Sequence, residues 1–165
     1  MFTKSGSGGT PLSTNTRYYN GDIPFLSIAD ITNSNGLIYK TEKYITIEGL
    51  NNSAAWIVPK EAIALAMYAS VGKVAILKQN ISTSQAFYNM VFNDLSVRNV
   101  VFYRLKSMEL NEEWNGLIST GTQSNLNAQK VQNLEITIPH ENSEQTKIGF
   151  IFKNIDDLIT LHQRK

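Results

Sequence analysis

Residues 63–92 read IALAMYASVGKVAILKQNISTSQAFYNMVF, and three runs within this stretch decide the fold. The runs Ile63 to Tyr68, Lys73 to Leu77 and Ala86 to Phe92 are rich in the aliphatic, β-branched and aromatic residues that favour strands. Gly72 stands between the first two runs, where a turn needs a glycine. The stretch therefore predicts neighbouring strands of a compact, mostly antiparallel β unit.

The sequence on the amino-terminal side extends this β unit. Further short runs of strand-forming residues are Ile23 to Ile28, Tyr44 to Ile47 and Ala54 to Val58. The first 25 residues contain several glycines, prolines and asparagines, interrupted by the aromatic pair Tyr18-Tyr19. This composition is typical of turns, so we expect a surface loop region before the fold.

After Asp94 the hydrophobic period changes from that of strands to that of helices. Apolar residues fall at three- and four-residue steps at Val101, Leu105, Met108, Leu110, Trp114, Leu117 and Ile118. The segment 119–122, which contains a glycine, is expected to end this helical segment. A short helical stretch near 126–134 and a strand from Leu134 to Ile138 are predicted next, with Pro139 closing the globular part.

The carboxy-terminal 23 residues carry an apolar stripe with regular helical spacing, which His162 continues. Its members are Ile148, Ile151, Phe152, Ile155, Leu158 and Ile159. Asn142 and Gln145 have the spacing of a capping box at the start of this helix. A helix of about 20 residues is about 30 Å long. Such a stripe either pairs with a partner helix or folds back on its own domain.

The composition limits the chemistry that the chain can perform. Its 165 residues include no cysteine and only two histidines, His140 and His162. These counts exclude disulfides, thiolate zinc sites and cysteine nucleophiles, so we expect no metal and no cofactor. Every uncharged stretch, 62–72 among them, is shorter than the about 20 residues that span a bilayer, and the amino terminus lacks the apolar core of a signal peptide. We expect a cytoplasmic protein.

The common catalytic motifs are absent from the sequence. Val71-Gly72-Lys73-Val74 lacks the spacing and the hydroxyl of a nucleotide-binding P-loop, and the glycine run 5–11 neither follows a clear strand nor opens a helix. Neither histidine is near a nucleophile elbow, and Asp156-Asp157 is typical of a solvated helix face. An enzyme is therefore the least favoured class of function.

Four segments taken in order resemble the specificity subunits of type I restriction-modification systems. The first comprises Ser7-Gly8-Gly9-Thr10-Pro11, Tyr18 to Phe25 and Asp30-Ile31. The second comprises Ile45-Thr46, Gly49-Leu50, Ser53, Val58-Pro59, Ala69 to Ile76 and Gln85-Ala86-Phe87. The third comprises Gly121-Thr122-Gln123, Leu126 and Leu134 to Pro139, and the fourth Glu144 to Ile148 and Ile155 to Ile159. The order and spacing over nearly the whole chain make the resemblance specific.

The resemblance implies an α+β fold, in which a β-rich, partly barrel-like target-recognition domain precedes a long helix. We expect residues 1–140 to form this domain and residues 141–165 the helix, which pairs with a second helix as an antiparallel spacer. It also implies that each half of a subunit reads one part of a bipartite double-stranded DNA site. Separate modification and restriction subunits would then methylate and cleave the DNA.

Loop residues able to reach base edges are the candidate DNA contacts, because planar amides, guanidinium groups and hydroxyls perform direct readout. They are Lys4, Thr10, Arg17, Tyr18, Tyr19, Ser70, Lys73, Lys78, Gln85 and Gln123. Alternatively, one of the adjacent tyrosines packs on the core, and Lys73 and Lys78 are ordinary solvated charges. The net charge of +1 is low for a protein that binds DNA by itself, and a multi-subunit complex would leave phosphate neutralisation to partners.

The sequence departs from the pattern of a complete specificity subunit, which has two recognition domains and two helices. The chain is therefore expected to be a half subunit, a natural short reading frame or an excised domain. If it acts alone, its helix would pair with that of a second copy, and the dimer would read a palindromic bipartite site. The alternative function is an interaction-only subunit that binds the modification subunit or another specificity subunit without reading DNA.

Overall fold

The strands form two sheets within residues 2–118 and 125–163, which a computed structural model describes. They are β1 (Lys4–Ser7), β2 (Tyr19–Leu26), β3 (Leu37–Ile38), β4 (Lys43–Ile45), β5 (Ile57–Val58), β6 (Ile63–Ala66), β7 (Val74–Leu77), β8 (Ile81–Thr83) and β9 (Phe87–Val91). The five-stranded central sheet has the order β1-β9-β6-β7-β3, and the four-stranded sheet the order β4-β2-β8-β5. Most pairs are antiparallel, as predicted, whereas β2–β8 and β3–β7 are parallel.

The central sheet is covered on both faces, which explains its nearly continuous apolar runs. In β6, Ile63 and Leu65 face one side and belong to the core beneath the long helices. Ala64 and Ala66 face the other side and pack toward the four-stranded sheet. Small alanines allow the two sheets to approach closely, and Phe87 and Leu77 fill the rest of this layer. The sheets remain open, in a partly barrel-like arrangement within the predicted α+β class.

Helices cover the other face of the central sheet and connect the strands. They are α1 (Ile28–Thr32), α2 (Ile47–Asn51), α3 (Leu95–Leu110), α4 (Ala128–Gln132) and α5 (Asn142–Gln163), with 3-10 turns at Thr16–Tyr18 and Glu113–Gly116. The predicted stripe Val101, Leu105 and Met108 does face the core. Asp94 caps α3 by accepting from the backbone of Ser96 and Val97. No described helix is long and apolar enough to cross a membrane.

Helix α5 lies along α3, and the two helices run parallel. Ser96 bonds Gln145 at 3.4 Å, Tyr103 stacks on Phe152 with ring centroids 5.1 Å apart, and Lys106 binds both carboxylate oxygens of Asp156 at 2.9 Å. The contact positions rise together on both helices at three- and four-residue steps, as in knobs-into-holes packing. Gly149 is buried against Asn99, where a Cβ would approach the Asn99 Cβ to 2.9 Å. The helix therefore folds back on its own domain at least as far as Asp156.

Several local predictions were wrong. The opening region contains a strand, since residues 4–7 pair with β9. Residues 134–138 form no strand; they pack beneath α3 through alternate apolar side chains but have no strand partner. The helical segment predicted to reach residue 118 ends at Leu110, and Glu112 adopts a left-handed conformation before the 3-10 turn.

The predicted capping box at the start of α5 is also wrong. Asn142 is the first helical residue, and its side-chain amide donates to Asp94 at 3.1 Å and to Ser96 at 3.0 Å. Gln145 instead donates from its side chain to the Pro139 carbonyl at 2.8 Å. The Asn142 side chain therefore connects the start of α5 to the start of α3, and the Gln145 side chain connects it to residue 139. Neither side chain forms the predicted capping bonds.

Candidate nucleic-acid interface

One end of the central sheet, here called the loop end, gathers three connections. They are residues 8–10 after β1, residues 67–73 between β6 and β7, and residues 84–86 before β9. Thr10 and Gln85 are exposed there, and the Thr10 hydroxyl donates to the Gln85 side-chain oxygen at 2.6 Å. The antiparallel register thus brings these two predicted contacts together from distant parts of the sequence.

The β6–β7 connection presents Ser70 at the same end. Ser70 has a positive φ of 51°, and its hydroxyl lies 3.0 Å from the Thr32 hydroxyl of α1. Gly72 follows with a φ of 88°, and Trp114 occupies the space that a Cβ would need, at 2.3 Å. The turn requirement predicted for Gly72 is therefore confirmed. It fixes the connection in one conformation and leaves Ser70 exposed.

The predicted lysines differ in position and in pairing. Lys73 lies at the loop end and forms an ion pair with Glu109 of α3 at 2.7 Å. Lys4 and Lys78 lie at the opposite end of the sheet, as the strand registers require. The Lys4 ammonium sits 3.9 Å from the centroid of the Trp56 ring, a cation–π contact. A strand of four residues separates the two ends by about 13 Å, so these lysines are not grouped with Ser70 and Gln85.

Lys78 belongs to a charge cluster centred on Glu61. The Glu61 carboxylate accepts from Lys78 at 2.7 Å and from Arg98, whose guanidinium is nearly buried with 8% of its side chain exposed. Burial raises the pKa of Glu61, but hydrogen bonds from Lys78 and Arg98 outweigh it and lower the pKa below its usual value. The cluster connects the start of β6 to the end of β7 and to α3. Among the described residues, no His, Asp and Glu side chains group to hold a metal ion.

The first loop places three predicted contacts on a 3-10 turn and at its end. Arg17 is exposed and lies 3.9 Å from Glu48 of α2. Tyr18 and Tyr19 are both half-buried, and neither belongs to the two main cores. The Tyr19 hydroxyl donates to the Pro11 carbonyl at 2.7 Å, which closes the loop on itself. The loop is thus an ordered part of the fold.

The apolar stripe of α5 remains largely accessible although the helix packs on α3. Phe152, Ile155, Leu158 and Ile159 are each about half exposed, as is Ile151, whereas Ile148 is intermediate. Part of the stripe lines a groove of about 560 Å³ with α3 and residues 137–139. Contiguous exposed apolar surface of this kind is typical of an interaction site.

The family comparison covers the sheet end and the helix together, because it extends over the whole chain. The family model described as the type I restriction modification DNA specificity domain matches residues 1–165. The chain belongs to this family. The specificity domain thus has the family membership that its sequence motifs predicted.

Curated relatives of the specificity domain are considerably longer. The type I restriction enzyme MjaIX specificity subunit of Methanocaldococcus jannaschii is 31% identical over 153 residues, covering 92% of this chain and 35% of the relative. The HindI specificity subunit of Haemophilus influenzae is 27% identical over 133 residues, covering 80% of this chain and 29% of the relative. The chain therefore spans about a third of the length of these proteins.

Solved structures share the fold of the specificity domain. The HsdS subunit from Thermoanaerobacter tengcongensis matches with a TM-score of 0.69 and 18% identity, covering 98% of this chain and 36% of that one. A chain from a study of the assembly and conformational transition of the type I R-M system matches with a TM-score of 0.73 and 18% identity, covering 97% and 37%. These matches confirm the predicted architecture of a β-rich domain with a long helix.

Several residues that contact the candidate DNA-binding side chains were not predicted from the sequence. Thr32 contacts Ser70, and Glu48 and Thr46 of the α2 region contact Arg17. Thr46 is a residue type that favours the N-cap of a helix, but its contact with the first loop exists only in three dimensions. Gln123, another predicted contact, lies outside the described residues.

Proposed function

We propose that the specificity domain reads one part of a bipartite DNA site within a type I restriction-modification complex. The observation that most directly supports this proposal is the loop end, where exposed polar side chains lie at one end of a sheet that is buried on both faces. Readout of base edges needs hydrogen-bonding groups held in fixed positions, and a rigid sheet provides them. Separate modification and restriction subunits would carry out methyl transfer and cleavage, so this chain would contribute no catalytic group.

The charge distribution supports the assignment of base readout to this chain and of phosphate binding to other subunits. Lys73 and Lys78 each form an ion pair at 2.7 Å, and Arg17 has an acidic neighbour. A paired cation contributes less to counterion release than a free one. We therefore assign most phosphate neutralisation to partner subunits, and base contacts to this chain.

The proposed contact surface combines the loop end with the first loop. It comprises Thr10, Ser70, Lys73 and Gln85 at the loop end, and Arg17, Tyr18 and Tyr19 in the first loop. Lys4, Lys78 and Gln123 stay predictions without structural support for membership of this surface.

The helix α5 is the proposed assembly element, and we retain the division into residues 1–140 and 141–165. Its exposed stripe would pair with the helix of a second copy, or of a second half subunit, as an antiparallel spacer. A symmetric pair would present two identical reading surfaces and would select a palindromic bipartite site. The assembled complex would act in the cytoplasm.

The test is to reconstitute the chain with the modification subunits of its own system and to sequence the DNA that the complex methylates. A discrete bipartite motif would support the proposal, and a palindromic one would also support a homodimer. Modification subunits without the chain are the control. A stable complex that methylates no discrete motif would contradict DNA reading and favour the interaction-only function.

A further inference from the structure

The 3-10 turn Thr16–Tyr18 and helix α2 form one unit, because Thr46 connects them. The Thr46 hydroxyl donates to the Arg17 carbonyl at 2.9 Å and accepts from the Gly49 backbone at 3.1 Å, where it caps α2. The Thr46 backbone N–H donates to the Tyr18 carbonyl at 2.9 Å. One residue thus caps the helix and holds the turn beside it.

Two further contacts restrict this unit. The Asn15 side chain accepts from the Arg17 backbone N–H at 3.2 Å, so both backbone polar groups of Arg17 are bonded. Gly49 is buried against Tyr18, and a Cβ would come within 2.6 Å of the Tyr18 carbonyl oxygen. The backbone under Arg17 is therefore fixed from three sides before any ligand arrives.

The two charged side chains of the unit are free by comparison. The Arg17 side chain is 76% exposed and the Glu48 side chain 48% exposed, with 3.9 Å between the nearest nitrogen and oxygen. A charge-assisted hydrogen bond would be about 2.7–2.9 Å long. At 3.9 Å the two side chains are close but form no hydrogen bond with each other. The guanidinium donors and the carboxylate acceptors can therefore both bind another molecule.

This combination of a fixed backbone and an open pair of opposite charges matches one feature of DNA. In the major groove, guanine presents the acceptors N7 and O6, and its cytosine partner presents the N4 amino donor. Guanine O6 and cytosine N4 are hydrogen-bonded to each other, at about 2.9 Å. Neighbouring donor and acceptor side chains can therefore meet both atoms at once.

We propose that Arg17 and Glu48 read one G·C base pair, with Arg17 donating to guanine N7 and O6 and Glu48 accepting from cytosine N4. This inference rests on the proposed function and assigns a base-pair preference to one of its surfaces. Thr46 is the positioning residue, since it holds Arg17 through the backbone and contacts no base in this arrangement.

The acidic neighbour distinguishes base readout from a phosphate contact. A phosphate that approached Arg17 would also approach the Glu48 carboxylate, and the two negative charges would repel each other. A cytosine amino group is instead a donor that a carboxylate attracts. The presence of Glu48 beside Arg17 therefore favours the base edge over the DNA backbone.

The experiment uses the reconstituted complex with the modification subunits and a library of randomised DNA duplexes. The variants are Arg17→Ala, Arg17→Lys, Glu48→Ala and the double variant, with Lys60→Ala as the control that removes an exposed cation elsewhere. The bound DNA is sequenced, and affinities are then measured on the selected duplex at several salt concentrations. Arg17→Lys keeps the charge but loses the two-pronged donor geometry.

We expect one G·C position of the wild-type motif to lose its selectivity in both Arg17 variants and in Glu48→Ala. Affinity for the selected duplex should fall about 5- to 150-fold in Arg17→Ala, the range of one bidentate base contact. The double variant should lose less than the product of the single losses, because both side chains read the same pair. The Lys60 control should leave the motif unchanged.

Three results would overturn the inference while leaving the proposed function intact. They are an unchanged motif in Arg17→Ala, effects of Arg17 and Glu48 at different positions, and a uniform loss of affinity with a salt slope reduced by about one, which marks a phosphate contact. A wild-type complex that selects no motif would overturn the proposed function and this inference together.

Discussion

Replacing Glu61 by Gln removes the charge at the centre of a partly buried ion cluster and keeps the size of the side chain. Arg98 then loses its carboxylate partner although only 8% of its side chain is exposed, and Lys78 loses its partner as well. Glu61 has a φ of 68°, so an isosteric replacement is needed to leave the backbone strain unchanged. We expect Glu61→Gln to destabilise the folded domain.

The magnitude follows from the burial and from the bonds that remain. Breaking a buried ion pair costs about 3–5 kcal/mol. The cost is lower here because the Glu61 side chain is 28% exposed and Arg98 keeps two bonds to the Asn99 side-chain oxygen, at 3.1 and 2.7 Å. We expect a loss of about 2–3 kcal/mol at neutral pH, and a Tm lower by about 5–10 °C for a domain of this size.

The same substitution predicts a pH dependence. The pKa of Glu61 in the folded protein lies below its ordinary value of 4.5, because the bonds from Lys78 and Arg98 outweigh burial. Its contribution to stability is therefore complete above about pH 4.5 and disappears as the pH falls through the folded-state pKa. The difference between wild type and Glu61→Gln should shrink in acid, since Gln does not titrate.

The assay is urea unfolding of both proteins at pH 7 and in acid. Glu113→Gln is the matched control, because Glu113 pairs with Arg104 where both side chains are more than a third exposed. That control should unfold like the wild type, as surface ion pairs contribute little. A loss below about 1 kcal/mol at pH 7, or a difference that does not change with pH, would refute the role assigned to Glu61.

The other predictions concern α5. The double change of Ile151 and Ile155 to Asp should abolish self-association or partner assembly while the domain stays folded, because both side chains are about half exposed. Mass in solution and circular dichroism measure this, with Asn154→Asp as control; an unchanged mass would exclude the stripe from the interface. Gly149→Ala should lower the Tm despite the better helix propensity of alanine, because its Cβ would meet Asn99; a higher Tm would contradict the tight packing of α5 on α3.

The sequence predicts the three inner strands of the central sheet, β9, β6 and β7, because burial on both faces leaves an unambiguous pattern, whereas the edge strands β1 and β3 were not predicted. It fails where pairing decides the structure. Residues 4–7 (Lys-Ser-Gly-Ser) have no strand propensity, yet they form β1 because the edge of β9 offers partners. Residues 134–138 show the opposite case. Their alternation of apolar and polar residues correctly predicts that alternate side chains pack against the core, but no strand lies beside them. The hydrophobic period indicates which side chains are buried. Whether a segment forms a strand depends on another strand, distant in the sequence, with which its backbone can hydrogen-bond.

The candidate interface shows the same limit for polar residues. Residue type and loop position selected Thr10, Gln85 and Ser70 as candidate contacts, and all three lie at one end of the sheet. The pairing of Lys73 with Glu109 depends on how α3 crosses the sheet, so it could not be predicted. The identity of a side chain therefore indicates what it can bind, and its partner in the fold determines whether it is free to do so.

Ion pairs also connect the proposed reading surface to α5, the proposed assembly helix. Lys73 at the loop end binds Glu109 near the end of α3, and Lys106 one turn earlier on α3 binds Asp156 of α5. Together with the stacking of Tyr103 on Phe152, these contacts link the central sheet, α3 and α5 directly to one another. In an assembly that pairs two α5 helices, the helices would then determine the spacing between the two DNA segments that are read. A change at the Lys106–Asp156 contact should therefore relax the preference for one spacer length before it alters the bases selected in either segment.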